Sequence, residues 1–315
     1  MKTKAVAFAP ASCANVAVGF DLLGFSCDVA GDKVTVERTA EREVSIAGVS
    51  GVVTKVPTDP GKNTATAGLV HLIRDLGLDF GFRVSIEKGI PLGSGMGGSA
   101  ASAVGAIVAA NALLPKPLTT EELVPYALIG EAQASGSYHA DNVAPSLFGG
   151  MTFARVRAGQ GVPKVEVVKI PVPAQIHCVL VNPKLSVETK TARGILKGDI
   201  TLKSHIEQSA NLAGFLAGCY SGDVRLIGRS LADVLIEPQR AHLIPGFTRV
   251  KESALAHGAL GCSISGAGPS VFAWADSTGA ASEIKTAMLQ AFQAAGVEAN
   301  GWAFALKREG ARIIA

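Results

Sequence analysis

Pro91-Leu92-Gly93-Ser94-Gly95-Met96-Gly97-Gly98-Ser99-Ala100-Ala101-Ser102 is the stretch that decides how the rest of the chain is read. Four glycines fall within the six residues from Gly93 to Gly98, so this backbone reaches positive φ without strain and can lie close against another molecule. Upstream, Phe82, Val84 and Ile86 alternate with polar residues, the period of a half-buried strand. Downstream, small helix-compatible residues run from Ser99 to Ala112. The order is strand, glycine-rich loop, helix. Loop N–H groups and a helix N-terminus together form an anion site, and a nucleotide phosphate is the expected occupant.

Gly93, Gly95 and Gly98 fit a Gly-x-Gly-x-x-Gly pattern that dinucleotide-binding folds and protein kinases also carry. Context separates the options. A dinucleotide loop is answered by an acid at the end of the next strand, about 20 residues on. Here that position holds Thr119-Thr120-Glu121-Glu122, a capped helix start. No Gly-Lys-Ser/Thr follows, which removes the P-loop, and His-Arg-Asp and Asp-Phe-Gly are both missing, which removes a protein kinase. What remains resembles the central Pro-x-x-x-Gly-Leu-Gly-Ser-Ser-Ala motif of the GHMP kinase family of small-molecule kinases. Met96 stands for its Leu and Gly98 for its first Ser, while Ser99 keeps the second.

At 315 residues the chain has room for one large or two medium domains. Its 48% apolar and 17% charged composition is that of an ordered, soluble protein. A net charge of +3 with no basic run excludes a nucleic-acid surface. No apolar stretch reaches the roughly 18 residues of a membrane span, and the N-terminal apolar core is too short for a signal peptide. The five cysteines, Cys13, Cys27, Cys178, Cys219 and Cys262, are odd in number and widely spaced. They read as reduced, buried thiols rather than disulfides or a zinc site. A cytoplasmic protein is expected. Its oligomeric state is open, with a homodimer among the options.

Taken in order, Ala5 to Ala9 reads as a first strand ending at Pro10. Asn15 and Asp21 then stand in an otherwise apolar loop, where they either bond the local backbone or meet a ligand. Lys33 to Arg38 and Glu43 to Ile46 read as strands, and Asn63 opens a helical pattern as its cap. Thr119 and Glu122 form a capping box. On the helix that follows, Leu123, Ala127, Glu131 and Ala134 share one face. A carboxylate on that stripe needs a buried partner or an edge at solvent. In the run Ser137 to Gly150, His139 and Asp141 are either an acid/base pair or the ties of a self-bonded loop. Between Arg155 and Pro173 the composition shifts to Gly and Pro, which marks a domain join. Beyond it come a strand from Ile176 to Val181 and helices over 204–220, 223–235 and 246–256. A second glycine-rich loop spans Gly261 to Phe272, followed by a last helix over 280–295 and a strand from Trp302 to Leu306. Arg193 and Arg240 each fall near a helix edge, where solvation alone would account for them.

The resemblance extends along the whole chain. Ser12-Cys13-Ala14-Asn15 through Gly19-Phe20-Asp21 is similar to the family's first motif, and Gly266-Ala267-Gly268-Pro269 to its third. His139-Ala140-Asp141-Asn142-Val143-Ala144-Pro145 matches the version carried by the members that phosphorylate homoserine. The implied fold is α+β, with a ribosomal-protein-S5-like N-terminal domain over 1–160 and a ferredoxin-like C-terminal domain over 161–315. The implied reaction is ATP-dependent phosphorylation of the L-homoserine hydroxyl to O-phospho-L-homoserine, in threonine biosynthesis. By the same resemblance, Pro91, Leu92, Gly93, Ser94, Gly95, Met96, Gly97, Gly98, Ser99, Ala100 and Ala101 would bind ATP, with Asn63 against the adenine. Ser99 and Glu131 would hold Mg²⁺. Asn15, Asp21, His139, Asp141, Thr189, Arg193 and Arg240 would bind the substrate. Asn142 stands where mevalonate-type relatives place an Asp base. An amide cannot be a base, so its catalytic part would be to orient the hydroxyl.

Overall fold

The computed structural model describes residues 2–157, 163–306 and 309–315. The first half is built on a seven-stranded sheet. Its central pair is β1 (Lys4–Ala14) and β2 (Leu23–Thr39), long antiparallel strands whose register shifts between Pro10 and Ala11. A proline has no N–H for the ladder and is tolerated at such an irregularity, so β1 continues to Ala14 instead of ending at Pro10. After β3 (Val44–Gly51) and α1 (Ala67–Leu76), β4 (Gly81–Lys88) enters between β2 and β3, antiparallel to one and parallel to the other. Asn63 lies in the turn before α1, whose first cap position is Thr66.

Three helices cover this sheet: α2 (Gly98–Asn111), α3 (Thr120–Ser135) and α4 (Ala140–Phe148). The Thr119/Glu122 capping box is present at the start of α3. The 137–150 run, where His139 and Asp141 could tie a self-bonded loop, is largely helix. Pro145 sits inside α4 and leaves the Asp141 carbonyl without its intrahelical donor. That carbonyl lies against Gly24, where a Cβ would come within 1.8 Å, so the close approach requires glycine. Strands β5 (Met151–Arg157) and β6 (Lys164–Ile170) form a hairpin that joins the sheet through β2. The 160/161 boundary falls outside the described residues, between two strands that pair with each other.

The second half carries a four-stranded antiparallel sheet in the order β10-β7-β9-β8, from β7 (His177–Pro183), β8 (Gly261–Ile264), β9 (Val271–Ala275) and β10 (Ala299–Ala305). With helices between β7 and β8 and between β9 and β10, this is the βαββαβ arrangement of a ferredoxin-like domain. The first crossover holds α5 (Thr189–Gly194), α6 (Leu202–Ser221), α7 (Val224–Ser230), α8 (Glu237–Arg240) and α9 (Phe247–Ala256). The second is α10 (Thr278–Ala294). Helix α7 stops at Ser230 and does not reach Leu235 because Asp233 takes the N–H groups of Leu235, Ile236 and Glu237 at 2.8–2.9 Å. The last strand, β11 (Arg312–Ile313), returns to pair with β1. The two halves meet in a shared core, where Phe25 of β2 meets Phe272 and Trp274 of β9 edge-on, each at 5.9 Å, and the other face of the four-stranded sheet packs on α9 and α10 in a second core.

Candidate active site

The site lies where the glycine loop, the β1–β2 connection, the ends of α3 and α4, and helices α5 and α8 converge on one cavity. Gly93, Gly95 and Gly97 have φ of 60°, 74° and 65°, alternating with ordinary residues, and α2 starts at Gly98. Such an alternation makes an anion-binding concavity of the backbone. The loop's carbonyls are held from outside. Gly93 O accepts from Val187 N at 3.0 Å, Ser94 O from Ser270 N at 3.1 Å, and Met96 O from Ser12 N at 3.1 Å. Gly95 O accepts from Ser265 Oγ at 2.7 Å. A peptide's N–H points opposite its carbonyl, so the loop turns its N–H edge toward the cavity. At Gly95 a Cβ would lie 2.5 Å from Ser265 O, which leaves no room for a side chain.

Beneath the loop is a buried charge cluster. The Lys88 ammonium pairs with Asp32 and donates to Gly98 O and Ser102 Oγ, each at 2.8 Å. Ser102 Oγ donates to the same carboxylate at 2.6 Å, and Gly89 N to its other oxygen at 3.0 Å. Every group in the cluster is paired, which is the condition for tolerating buried charge.

Acidic and basic groups stand on the cavity wall. Glu131 Oε1 accepts from His139 Nδ1 at 3.0 Å, while Glu131 Oε2 and His139 Nε2 are buried without a partner. Burial acts against the His139 imidazolium, but the hydrogen bond and charge of Glu131 outweigh it and hold the ring above its ordinary range. Asp141 is 2% exposed with Oδ1 unpartnered. Burial pushes its carboxyl up to about 7; His139 opposes the rise, and Asp21 and Glu131 add to it. Arg193 holds Asp21 in a two-point contact, 2.9 and 2.6 Å, the fork geometry a guanidinium offers a carboxylate. Arg240 is 3% exposed and donates to Ala192 O at 3.0 Å and Gly266 O at 3.1 Å. Both guanidiniums flank the Phe20 ring at 5.2 Å. Asn15 lies in the left-handed region at φ 70°. Its amide ties Gly266 O and Asp21 N together at 2.9 and 3.1 Å.

This chain matches the GHMP kinases N terminal domain model over residues 63–150 and the GHMP kinases C terminal model over 215–294. It is 50% identical over 311 residues to a homoserine kinase of Xylella fastidiosa strain 9a5c, spanning 99% of this chain and 94% of the relative. The chain belongs to the GHMP kinase family. A homoserine kinase of Chlorobium phaeovibrioides is 44% identical over 98% of both chains. The crystal structure of the homoserine kinase from Cytophaga hutchinsonii superposes with a TM-score of 0.94 at 42% identity, covering 100% of this chain and 98% of that one.

In this GHMP kinase the cavity gathers Asn15, Asp21, Ser99, Glu131, His139, Asp141, Asn142, Thr189, Arg193 and Arg240, with loop residues Pro91 to Gly95, Gly97 and Gly98. Met96, Ala100 and Ala101 are buried and do not line it; they pack the loop and α2 onto the core. Asn63 does not line it either. Its amide donates to Pro57 O at 2.7 Å and accepts from Ala65 N at 2.9 Å, closing the turn before α1. His139 is hydrogen-bonded to Glu131 rather than paired with Asp141, so of the two partners open to the Glu131 stripe the structure uses the buried one. Arg240 is buried, not a solvated helix edge. Three contributors were given no site role from the sequence: Phe20 and Ser12, which stand in the first motif, and the Lys88–Asp32–Ser102 cluster. Lys88 had a signal, since it extends the inward alternation of Phe82, Val84 and Ile86 by one step. All five cysteines are buried and free. Among the described residues, no helix is long and apolar enough to cross a membrane.

Proposed function

We propose that the cavity binds ATP and L-homoserine together and transfers the terminal phosphoryl group to the homoserine hydroxyl, giving O-phospho-L-homoserine for threonine biosynthesis. One observation carries the choice of substrate within the family. Two guanidiniums and two carboxylates, Arg193, Arg240, Asp21 and Asp141, share the wall of a cavity whose floor is the phosphate loop. That combination suits a zwitterion bearing a distal hydroxyl. Kinship with proteins named homoserine kinase supports it.

Each residue then has a part. The loop from Pro91 to Ser99 cradles the phosphates through its N–H edge and the N-terminus of α2. Arg240 keeps donors beyond the two that tie its position, and these take the substrate carboxylate. Asp21 and Arg193 pair with each other, and a zwitterion bound between them offers Asp21 an ammonium and Arg193 a carboxylate. Asp141, buried with an unpartnered oxygen, meets the same ammonium. Asn142 orients the hydroxyl. Asn15, His139 and Thr189 complete the shell.

Glu131 and Ser99 fit Mg²⁺. Glu131 Oε2 is a buried carboxylate oxygen with no protein partner, on the wall that Ser99 also lines. Carboxylate and hydroxyl oxygens are the donors this ion accepts, with phosphate and water completing its shell. Among the described residues no group of three or more His, Cys, Asp or Glu is placed to hold a metal, which suits an ion bound largely through the nucleotide. When bound, Mg²⁺ offsets negative charge on the phosphate oxygens. Transfer through a loose transition state asks mainly for positioning and charge neutralisation, which agrees with a site whose hydroxyl neighbour is an amide. An ADP-release assay against homoserine, mevalonate and galactose tests the reading. Turnover with homoserine alone is expected; turnover with another acceptor, or none at all, overturns it.

A further inference from the structure

Ser12 is fully buried in β1 and does not line the cavity, yet it touches both halves of the proposed reaction centre. Its backbone N–H holds Met96 O of the phosphate loop at 3.1 Å. Its Oγ–H donates to Asn142 Oδ1 at 2.8 Å across 130 residues of sequence. The loop backbone is pressed onto this hydrogen bond. A Cβ at Gly97 would lie 2.0 Å from Ser12 Oγ and 2.8 Å from Asn142 Oδ1.

We infer that Ser12 is a positioning residue that fixes the Asn142 amide for the acceptor hydroxyl and couples it to the phosphate loop. The inference rests on the reading of the cavity as the homoserine phosphorylation site. An amide has one acceptor face and one donor face. With Oδ1 committed to Ser12, Asn142 turns Nδ2 to the cavity it lines. The homoserine hydroxyl oxygen is therefore held as an acceptor, and Asn142 takes no proton from it. Because one residue grips both Met96 and Asn142, the hydroxyl and the phosphates keep their relative placement when either moves. Misplacement of about an ångström between reacting groups costs around a hundredfold in rate.

The test is a kinetic double-mutant cycle. Ser12→Ala is expected to lower kcat about tenfold, the worth of one neutral hydrogen bond, with the KM values for ATP and homoserine changed less than twofold. Ser12→Cys, which keeps a weaker donor, falls between. In an Asn142→Ala background, already slower by about a hundredfold, Ser12→Ala is expected to cost less than a further twofold. An equal loss in both backgrounds, or a loss seen mainly as a raised KM for ATP, means that Ser12 supports the fold only and overturns the inference. Unchanged kcat in folded Ser12→Ala overturns it as well. A parent enzyme with no homoserine turnover fails at the functional reading itself, an outcome distinct from these.

Discussion

Replacing Asp141 by Asn should make the empty enzyme more stable and leave it unable to select its substrate. The carboxyl is buried, one oxygen has no partner, and burial raises it from 3.8 to about 7. At about 1.4 kcal/mol per pH unit, keeping it ionised in the empty cavity costs on the order of 4 kcal/mol. Between pH 4 and 7 the folded protein holds this proton and the unfolded chain does not. The associated stability is thus complete below about pH 4 and is lost as pH rises through 7. Asn stays neutral throughout. Its buried amide donors return roughly 1–3 kcal/mol of the gain, so a net of about 2 kcal/mol remains at pH 8, about 3 °C in thermal midpoint for a chain of this length. That advantage vanishes midway between pH 7 and 4, and at pH 4 the variant is the less stable of the two by the roughly 1–3 kcal/mol of its buried amide donors. Homoserine should stabilise the parent at pH 8, where its ammonium pairs with the ionised carboxylate, and should hardly stabilise Asp141→Asn. Thermal unfolding at pH 5, 6.5 and 8, with and without L-homoserine, measures all of this. A variant less stable than the parent at pH 8, or one stabilised by homoserine to the same extent, refutes the reasoning.

Three further outcomes follow from the geometry. Glu131→Gln keeps the shape of the side chain and removes the charge proposed to hold Mg²⁺, so kcat should fall about a hundredfold or more in a protein that still folds, though it also loses the charged partner of His139; near-normal turnover would remove the assignment. Gly98→Ser places a Cβ 3.1 Å from the Ile90 Cγ2 methyl, a contact a few tenths of an ångström of side-chain movement relieves, so turnover should survive it and be lost in Ser99→Ala; a nucleotide-bound crystal structure with the metal on Ser94 or Ser102 would reverse that expectation. Lys88→Met strands the Asp32 carboxylate in the core, which should cost about 3–5 kcal/mol and raise the KM for ATP as the start of α2 loosens; denaturant unfolding checks the first and steady-state kinetics the second.

The phosphate loop and its flanking strand and helix were readable because local signals agreed: alternation up to Ile86, positive-φ glycines, then a run of small residues. The C-terminal loop at Gly266 and Gly268 was readable for the same reason, and it packs on the phosphate loop through Ser265 Oγ and Ser270 N. Elsewhere one local rule masked another. Pro10 reads as a strand end, but the β1–β2 register shift absorbs it. Pro145 and the Gly149-Gly150 pair read as a turn, but α4 tolerates the proline because Gly24 makes room for the released carbonyl. No pattern within 130–150 could reveal Gly24.

Site residues divide in the same way. Motif resemblance brought Asn15, Asp21, Glu131, Asp141 and Arg240 to one cavity, although Arg240 read alone is an ordinary helix-edge arginine. Asn63 lies outside that cavity, and its amide bonds Pro57 O and Ala65 N in its own turn. Ser12, a motif position, and the Lys88–Asp32 pair have no legible role in the sequence because their meaning lies in contacts between distant segments. A lysine on an inward alternation is visible from sequence; the carboxylate 56 residues away that makes it tolerable is not.

A cavity that recognises an amino acid through separate anionic and cationic groups while it phosphorylates the hydroxyl should reject an acceptor that lacks the amine. Comparing kcat/KM for L-homoserine and for 4-hydroxybutyrate, which keeps the hydroxyl and carboxylate but lacks the amine, tests it most directly. With Asp141 and Asp21 left without their ammonium partner, 4-hydroxybutyrate should be slower by about a thousandfold or more, with the KM for ATP unchanged. Equal kcat/KM for the two acceptors would contradict the account.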